Sequence, residues 1–260
     1  MNVLSLFDGM SCGQIALDRL GLPVTNYYAS EVDKYAIKVA KKNFPNTIHL
    51  GDVRGVKAED LEPIDLLIGG SPCQGFSFAG RQLNFDDPRS QLFWEYVRLL
   101  KELKPKYFLL ENVKMKQESM DVITEALGVE PIEINSALVS AQNRKRLYWT
   151  NIPFEMPKDK GIVLNDILED GFVDRDKSHC LDANYFKGGN LKSYFEKNRR
   201  QLVFTSTDNL TWRKLSPTEC ERLQTVPDGY TEGVSNTQRY KMLGNGLTVD
   251  IITSILKGLK

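Results

Sequence analysis

The chain is poor in the residues that staple or metallate small proteins. Its four cysteines, Cys12, Cys73, Cys180 and Cys220, are scattered with no CxxC pair, and His49 and His179 are the two histidines. That set argues against a disulfide framework and against a zinc centre. No metal is expected, and reduced thiols fit a cytoplasmic compartment. Charge of one sign is missing too. Lys plus Arg number 34 against 34 Asp plus Glu, a net charge of zero, so any attraction to nucleic acid must come from a local basic patch. No apolar run approaches membrane-spanning length, and no membrane partner is expected. The opening "MNVLSLFDG" lacks a basic n-region and reads as a strand rather than a leader. No repeat and no low-complexity segment is present. What remains is 260 residues with 41% hydrophobic and 26% charged content. These values suit one large domain, or one domain with a smaller insert, able to bury a core unaided.

Short apolar runs alternate with amphipathic stretches through the first half. Residues 3–7, 27–30, 48–50, 66–69 and 107–110 read as strands. Their apolarity is continuous, which suggests a sheet covered on both faces. Helices are predicted between them over 14–20, closed by Gly21, over 33–43 with Asp33 as N-cap, and over 91–103 with a helical apolar stripe. This rhythm means an α/β doubly wound, mostly parallel sheet over residues 1–150. From 151 to 213 the rhythm breaks into polar residues and turn formers, a small irregular insert. Regularity returns over 214–260, where Ser216 and Glu219 form a capping box around Pro217. A last amphipathic helix is predicted over 248–259.

In open α/β sheets ligands bind outside the carboxyl ends of the strands. The first three strands end in "FDGMSCG", "YASEVD" and "LGDVR", offering Phe7, Glu31 and Asp52 to one cleft. Gly9 and Gly13 let the backbone approach a ligand. Two carboxylates suit a ribose diol and an adenine amino group better than a pyrophosphate. The glycine spacing departs from GxGxxG, which disfavours a nicotinamide enzyme. After the fourth strand comes "GGSPCQGFSFAG", displaying Cys73 on a loop bounded by Pro72 and glycines. A free thiol there is a nucleophile beside the cleft. The fifth strand ends in "ENV", and Glu111 leaving a buried strand is suited to general-acid work. In "QNRKR" the alternation of Gln142, Arg144 and Arg146 predicts one shared strand face, a pattern suited to anion or carbonyl recognition.

These motifs, in this order, resemble those of the cytosine-C5 DNA methyltransferases. The resemblance covers almost everything outside 151–213, ending in "RYKMLGNGLTVDI". It implies the Rossmann-like methyltransferase fold and S-adenosyl-L-methionine as cofactor. It implies that Cys73 attacks C6 of a cytosine, Glu111 contacts N3 and the exocyclic amine, and Arg144 and Arg146 address the O2 side. The same resemblance implies cofactor contact from Phe7, Asp8, Gly9, Met10 and Ser11 in the first loop. Glu31, Val32, Asp52 and Val53 would follow on the next two strand ends. Gly70, Pro72, Leu92 and the Asn245, Gly246, Leu247 turn would complete the site.

C6 lies inside the base stack, so double-stranded DNA would have to release the nucleotide first. Gln74, Ser77 and Arg81 of the catalytic loop, with Gln142, are candidates for touching DNA. "LDANYFKGGN" resembles the family's recognition segment, adding Tyr185, Lys187 and Gly188. From residue 175 to 214, nine Lys and Arg stand against four Asp and Glu, a local net of +5 suited to phosphate. "RLYWTNIP" looks closer to the animal de novo branch, whereas compactness suggests a bacterial or phage protein, in a restriction-modification setting or alone. The short insert predicts a short target sequence, and a monomer is favoured. A tRNA cytosine-C5 methyltransferase, a non-catalytic DNA-binding regulator and an NAD oxidoreductase are the alternatives. The regulator is disfavoured because the thiol, the acid and both arginines are all present.

Overall fold

The computed structural model describes residues 1–71, 91–207 and 211–259. Seven strands form one sheet: β1 Asn2–Leu6, β2 Asn26–Ser30, β3 Ile48–His49, β4 Leu66–Gly70, β5 Tyr107–Asn112, β6 Ile132–Asn135 and β7 Lys145–Thr150. Their spatial order is β3-β2-β1-β4-β5-β7-β6. The first five run parallel, and β7 is antiparallel to both β5 and β6. Chain order reverses between β1 and β4, so a crevice opens at the carboxyl ends of those strands.

Continuous apolarity in the strands has the predicted cause. Val3, Leu66, Ile68 and Leu109 share one core with Ile15 and Leu17 of α1 (Cys12–Arg19) and with Ile251, Ile252 and Ile255 of α8 (Val249–Leu256). Leu4, Leu6, Leu67 and Leu110 point the other way. They pack on Phe93, Tyr96 and Leu99 of α3 (Gln91–Leu103) and on Ile123 of α4 (Gln117–Leu127). At Gly69 a Cβ would stand 2.8 Å from the ring of fully buried Tyr96, so glycine is what lets α3 lie this close to β4. Asp33 caps α2 (Lys34–Asn43) by accepting from the backbone N–H of Tyr35 and Ala36.

Two elements of the body were not predicted. In α4, Met120, Ile123 and Leu127 are spaced as a helical stripe, diluted by six polar residues, and Gly128 closes it at φ 70°. In β6, three of four residues are polar or exposed, leaving little strand signal. The final helix ends at Leu256 and tightens into a 3₁₀ turn over Lys257–Leu259.

The 151–213 segment is more ordered than its composition suggests. It holds α5 (Leu191–Lys197) and an antiparallel pair, β8 (Leu202–Phe204) with β9 (Trp212–Lys214). Tyr194, Leu202 and Phe204 form a small core of their own. Leu164, Ile167, Leu181, Tyr185 and Val203 instead join the main core. Two more helices complete the return to the body, α6 (Pro217–Leu223) and α7 (Asn236–Asn245). The capping box at Ser216 is formed, with Pro217 at its first turn. At Gly244 a Cβ would fall 2.2 Å from the carbonyl carbon of Asp182, so α7 meets the insert backbone to backbone. Among the described residues no helix is long and apolar enough to cross a membrane, and no group of three or more His, Cys, Asp or Glu could hold a metal ion.

Candidate active site

The strand ends converge on one cavity of about 610 Å³, within the range of small-molecule sites. Its first wall is the turn after β1. Phe7, Gly9 and Ser11 all adopt left-handed backbone, at φ 57°, 59° and 65°. Two non-glycine residues in that region represent local strain of about 1 kcal/mol or more each. The turn is held by its surroundings: Asp8 N–H donates to Ser30 O, and the Tyr230 hydroxyl donates to Met10 O at 2.7 Å. Glu31, past the end of β2, accepts from the backbone N–H of Gly9 at 2.8 Å, Val32 at 2.7 Å and Asp33 at 2.8 Å. Glu31 therefore fastens the first loop to the second.

Asp8 is the unusual group of this wall. It is buried and lines the cavity. Its carboxylate accepts from the Tyr27 hydroxyl at 2.8 Å and from the Ser11 hydroxyl. Burial pushes the carboxyl up to about 6, against the pull of hydrogen bonds from Ser11, Ser5 and Tyr27, and Glu31 adds to the rise. Asp52, past β3, behaves oppositely. Hydrogen bonds from the Arg54 side chain and backbone hold it down at about 2.

Val32, Val53, Leu92 and Leu247 supply apolar walls, and Gly70, Asn245 and Gly246 complete the lining. A Cβ at Gly70 would stand 3.3 Å from Glu111 Oε2 and 3.8 Å from Leu247 Cδ2. A glycine here keeps the passage between acid and cavity open. Phe7, Asp8, Gly9, Glu31, Val32, Asp52, Val53, Gly70, Leu92, Asn245, Gly246 and Leu247 thus come together as lining residues. Met10 and Ser11 do not. Met10 is a core residue, 1% exposed, and Ser11 is fully buried with its hydroxyl on Asp8. Both were expected among the cofactor contacts; their side chains serve as loop supports.

On the far side, Arg146 Nε pairs with Glu111 Oε1 at 3.0 Å, and both side chains are nearly buried. Burial is the largest influence on the Arg146 charge and works against it, but Glu111, Cys180 and Tyr148 together outweigh it, and its affinity for the proton rises. Asn112 anchors this strand end by donating to Ser71 Oγ at 3.0 Å and accepting from Val113 N–H. Arg144 is placed differently from the sequence expectation. β7 begins at Lys145, so Gln142, Arg144 and Arg146 do not share a strand face. Arg144 is 2% exposed, and its guanidinium donates to the carbonyls of Leu181 at 2.9 Å, Gly244 at 3.2 Å and Gly246 at 2.8 Å. It lines the cavity while bracing the insert and the α7 terminus to the body.

Gln142 is fully buried and donates to Leu223 O and Gln224 Oε1 while accepting from Leu181 N–H. Tyr185 is 2% exposed, its hydroxyl donating to Gln201 O and accepting from Leu215 N–H. Both expectations of DNA contact are corrected: these polar atoms are satisfied inside the protein. Lys187 is exposed at the end of a 3₁₀ turn, and Gly188 follows at φ 71°. The basic stretch also thins out. Lys177 donates to three backbone carbonyls, Arg213 is held by Asp170 and Glu219, and Lys214 donates to Phe186 O. Lys187, Lys192, Lys197 and Arg199 remain as exposed cations, and Phe195 is exposed too. Pro72, Cys73, Gln74, Ser77 and Arg81 lie outside the described residues.

Three contributors were not foreseen. Gln224, fully buried, links Gln142, Thr248, Leu243 and Gly246. Lys241 lines the cavity and pairs with Asp33. Cys180 sits 3.5 Å from Arg144 Nη1 and 3.9 Å from Arg146 Nη2, and although burial opposes it, the two guanidiniums lower its thiol. None carries a local sequence signature, since each acts through residues distant in the chain.

A doubly wound sheet with one reversed strand, opening on a carboxylate-lined cavity beside an acid–guanidinium pair, defines a methyltransferase-fold enzyme. Solved structures share that fold. A putative DNA modification methyltransferase from an Escherichia coli prophage matches with a TM-score of 0.69 at 24% identity, over 100% of this chain and 98% of that one. DNMT2 of Spodoptera frugiperda matches with a TM-score of 0.71 at 23% identity, over 99% of each chain. A family model of C-5 cytosine-specific DNA methylases matches residues 1–160 and 141–260. The type II methyltransferase M1.ScrFI of Lactococcus lactis subsp. cremoris is 32% identical over 89% of this chain and 71% of its own length. M.NlaX of Neisseria lactamica, also a type II methyltransferase, is 28% identical over 99% of this chain and 96% of its own length. The chain belongs to the C-5 cytosine-specific DNA methylase family and is a DNA cytosine-5 methyltransferase.

Proposed function

We propose that the chain methylates C5 of a cytosine flipped out of double-stranded DNA, within a short recognition sequence, through a covalent adduct between Cys73 and C6. The observation that carries this reading is the Glu111–Arg146 pair opening on the same cavity as Glu31 and Asp52. That arrangement supports a reading in which a base-binding end adjoins a cofactor-binding end.

The cavity fits S-adenosylmethionine by size and by chemistry. Glu31 and Asp52 would take hydroxyl or amino hydrogens of the nucleoside, and Phe7, Val32, Val53 and Leu92 would enclose its ring. Gly9 leaves open space where a Cβ would stand. When bound, the cofactor supplies the electrophilic methyl group that C5 accepts.

The protein's own residues do the rest. The Cys73 thiolate adds to C6, and the electron pair displaced from the C5–C6 bond makes C5 nucleophilic. Glu111, steadied by Arg146, accepts from the exocyclic amine and faces N3 through a shared proton that offsets the negative charge building on the ring. After transfer a base removes the C5 proton, the C5–C6 double bond reforms and the thiolate leaves. Arg146 is the arginine for the O2 side, while Arg144 fixes the frame behind it. Residues 151–213 serve as a recognition insert whose exposed Lys187, Lys192, Lys197 and Arg199 meet phosphate. The setting is the cytoplasm of a bacterial or phage-infected cell.

The test is transfer of labelled methyl from S-adenosylmethionine to duplex DNA or to tRNA. Label in DNA at cytosine C5 supports the reading. Label confined to tRNA supports the RNA alternative, and no label in either contradicts both.

A further inference from the structure

Among the described residues the cavity wall holds two carboxylates with no cation partner, Glu31 and Asp8, and they are satisfied in different ways. Among the described residues, Arg54 pairs with Asp52, Arg146 with Glu111 and Lys241 with Asp33, while Arg144 is engaged by backbone carbonyls. Glu31 has no cation partner either, but three backbone N–H groups satisfy it. Asp8 has only hydroxyls, from Ser11, Tyr27 and Ser5. The titratable groups that face it are Tyr27 on β2, Glu31 beyond β2, Cys12 on α1 and Tyr230 before α7. Each of these is neutral or negative. A buried carboxylate surrounded in this way is unfavourable unless a positive charge arrives from outside.

We propose that Asp8 is a cation-selecting residue: its carboxylate supplies the charge against which the cofactor's sulfonium binds, so the cavity prefers the methyl donor to its neutral thioether product. The inference rests on S-adenosylmethionine being the ligand of this cavity. The donor carries one positive charge more than the demethylated product, and the two are otherwise nearly the same shape. Shape and ribose contacts cannot separate them, but a nearby desolvated carboxylate can. The consequence for turnover is release of product, since the charge that held the donor is gone after transfer.

Proton exchange gives the signature. In the free protein the Asp8 carboxyl is protonated below about 6. That proton must leave before the group can oppose a cation, so donor affinity rises with pH through this value. With the proton fully lost in the complex, donor affinity falls about tenfold between pH 7 and pH 5. The neutral product has no such requirement and changes by less than about threefold.

The experiment is titration calorimetry of the full chain with S-adenosylmethionine and with S-adenosylhomocysteine at pH 5, 6 and 7, repeated on Asp8→Asn. Support is a donor affinity that climbs about tenfold while the product's stays nearly flat, with the climb absent in Asp8→Asn. Parallel profiles for the two ligands, or a climb that survives in Asp8→Asn, overturn the proposal while leaving the cofactor assignment intact. Absence of binding by either ligand at pH 7 overturns the cofactor assignment and this inference together. Should Asp8→Asn not fold, the two profiles of the unaltered chain decide the matter.

Discussion

Replacing Arg144 with methionine separates a bracing role from a chemical one. The guanidinium is 2% exposed and donates to the carbonyls of Leu181, Gly244 and Gly246. Gly246 O also accepts from Gln224 Nε2 at 3.2 Å, so it keeps a partner in the variant. The Gly244 carbonyl loses its partner, and the Leu181 carbonyl keeps only the weak thiol donor of Cys180 at 3.6 Å. A buried acceptor left unsatisfied costs about 1–3 kcal/mol, giving about 2–5 kcal/mol for one carbonyl with no partner and one with only a thiol. Methionine returns part of that, because a buried charge no longer has to be desolvated. A net loss of about 2–4 kcal/mol follows, equivalent to a melting point lower by about 5–15 °C for a chain of this size. The assay is differential scanning calorimetry of Arg144→Met beside Arg146→Met. Arg146 donates to only one backbone carbonyl, that of Lys145, so its replacement lowers the melting point by much less while removing the partner of Glu111. A melting point for Arg144→Met within about 2 °C of the parent refutes the reasoning, as does a larger loss for Arg146→Met.

Gly69→Ala places a Cβ 2.8 Å from the Tyr96 ring, which is fully buried and has nowhere to move. The expected cost is about 1–3 kcal/mol, measured by urea denaturation at constant m. Ser216→Ala removes the hydroxyl that accepts from Glu219 N–H at 3.1 Å and so opens the capping box of α6. It should cost about 1 kcal/mol, with helix α6 gaining amide exchange before the sheet does. Asp8→Asn should stabilise the ligand-free chain at pH 8 by up to about 3 kcal/mol. The folded carboxyl, raised from 3.8 to about 6, binds its proton more tightly than the unfolded one. Its contribution is therefore fully present below about 3.8 and lost as pH rises through about 6. Melts at pH 4 and pH 8 should show the gain only at the higher pH, and an equal gain at both contradicts the assignment.

The parallel half of the sheet was legible because its strands are mostly apolar runs ending in chemically distinctive loops. Val3 to Leu6 and Leu66 to Gly70 needed no alternation, since cores lie on both faces. Strand ends in such a sheet face one crevice, so Phe7, Glu31, Asp52 and Glu111 could be grouped before any geometry was known. The antiparallel corner was harder. β6 is half exposed, and the turn before β7 removes Gln142 and Arg144 from the strand that alternation predicts. Polarity misled at Tyr185, Gln142 and Lys177 for one reason. Each satisfies its hydrogen bonds on backbone groups far away in sequence, so a polar residue in a polar stretch turned out to be internal. The hub at Gln224 was invisible for the same cause, as its partners span Gln142 to Thr248.

The central claim is that the Cys73 sulfur adds to C6 of a cytosine held by Glu111 and Arg146. Incubating the chain with S-adenosylmethionine and a duplex bearing 5-fluorocytosine tests it most directly, because fluorine at C5 cannot leave as a proton and the adduct is trapped. The account predicts a denaturation-resistant protein–DNA complex, carrying the transferred methyl group, that is absent for Cys73→Ala. A complex of equal yield from Cys73→Ala, or ordinary methylation of cytosine by that variant, contradicts it.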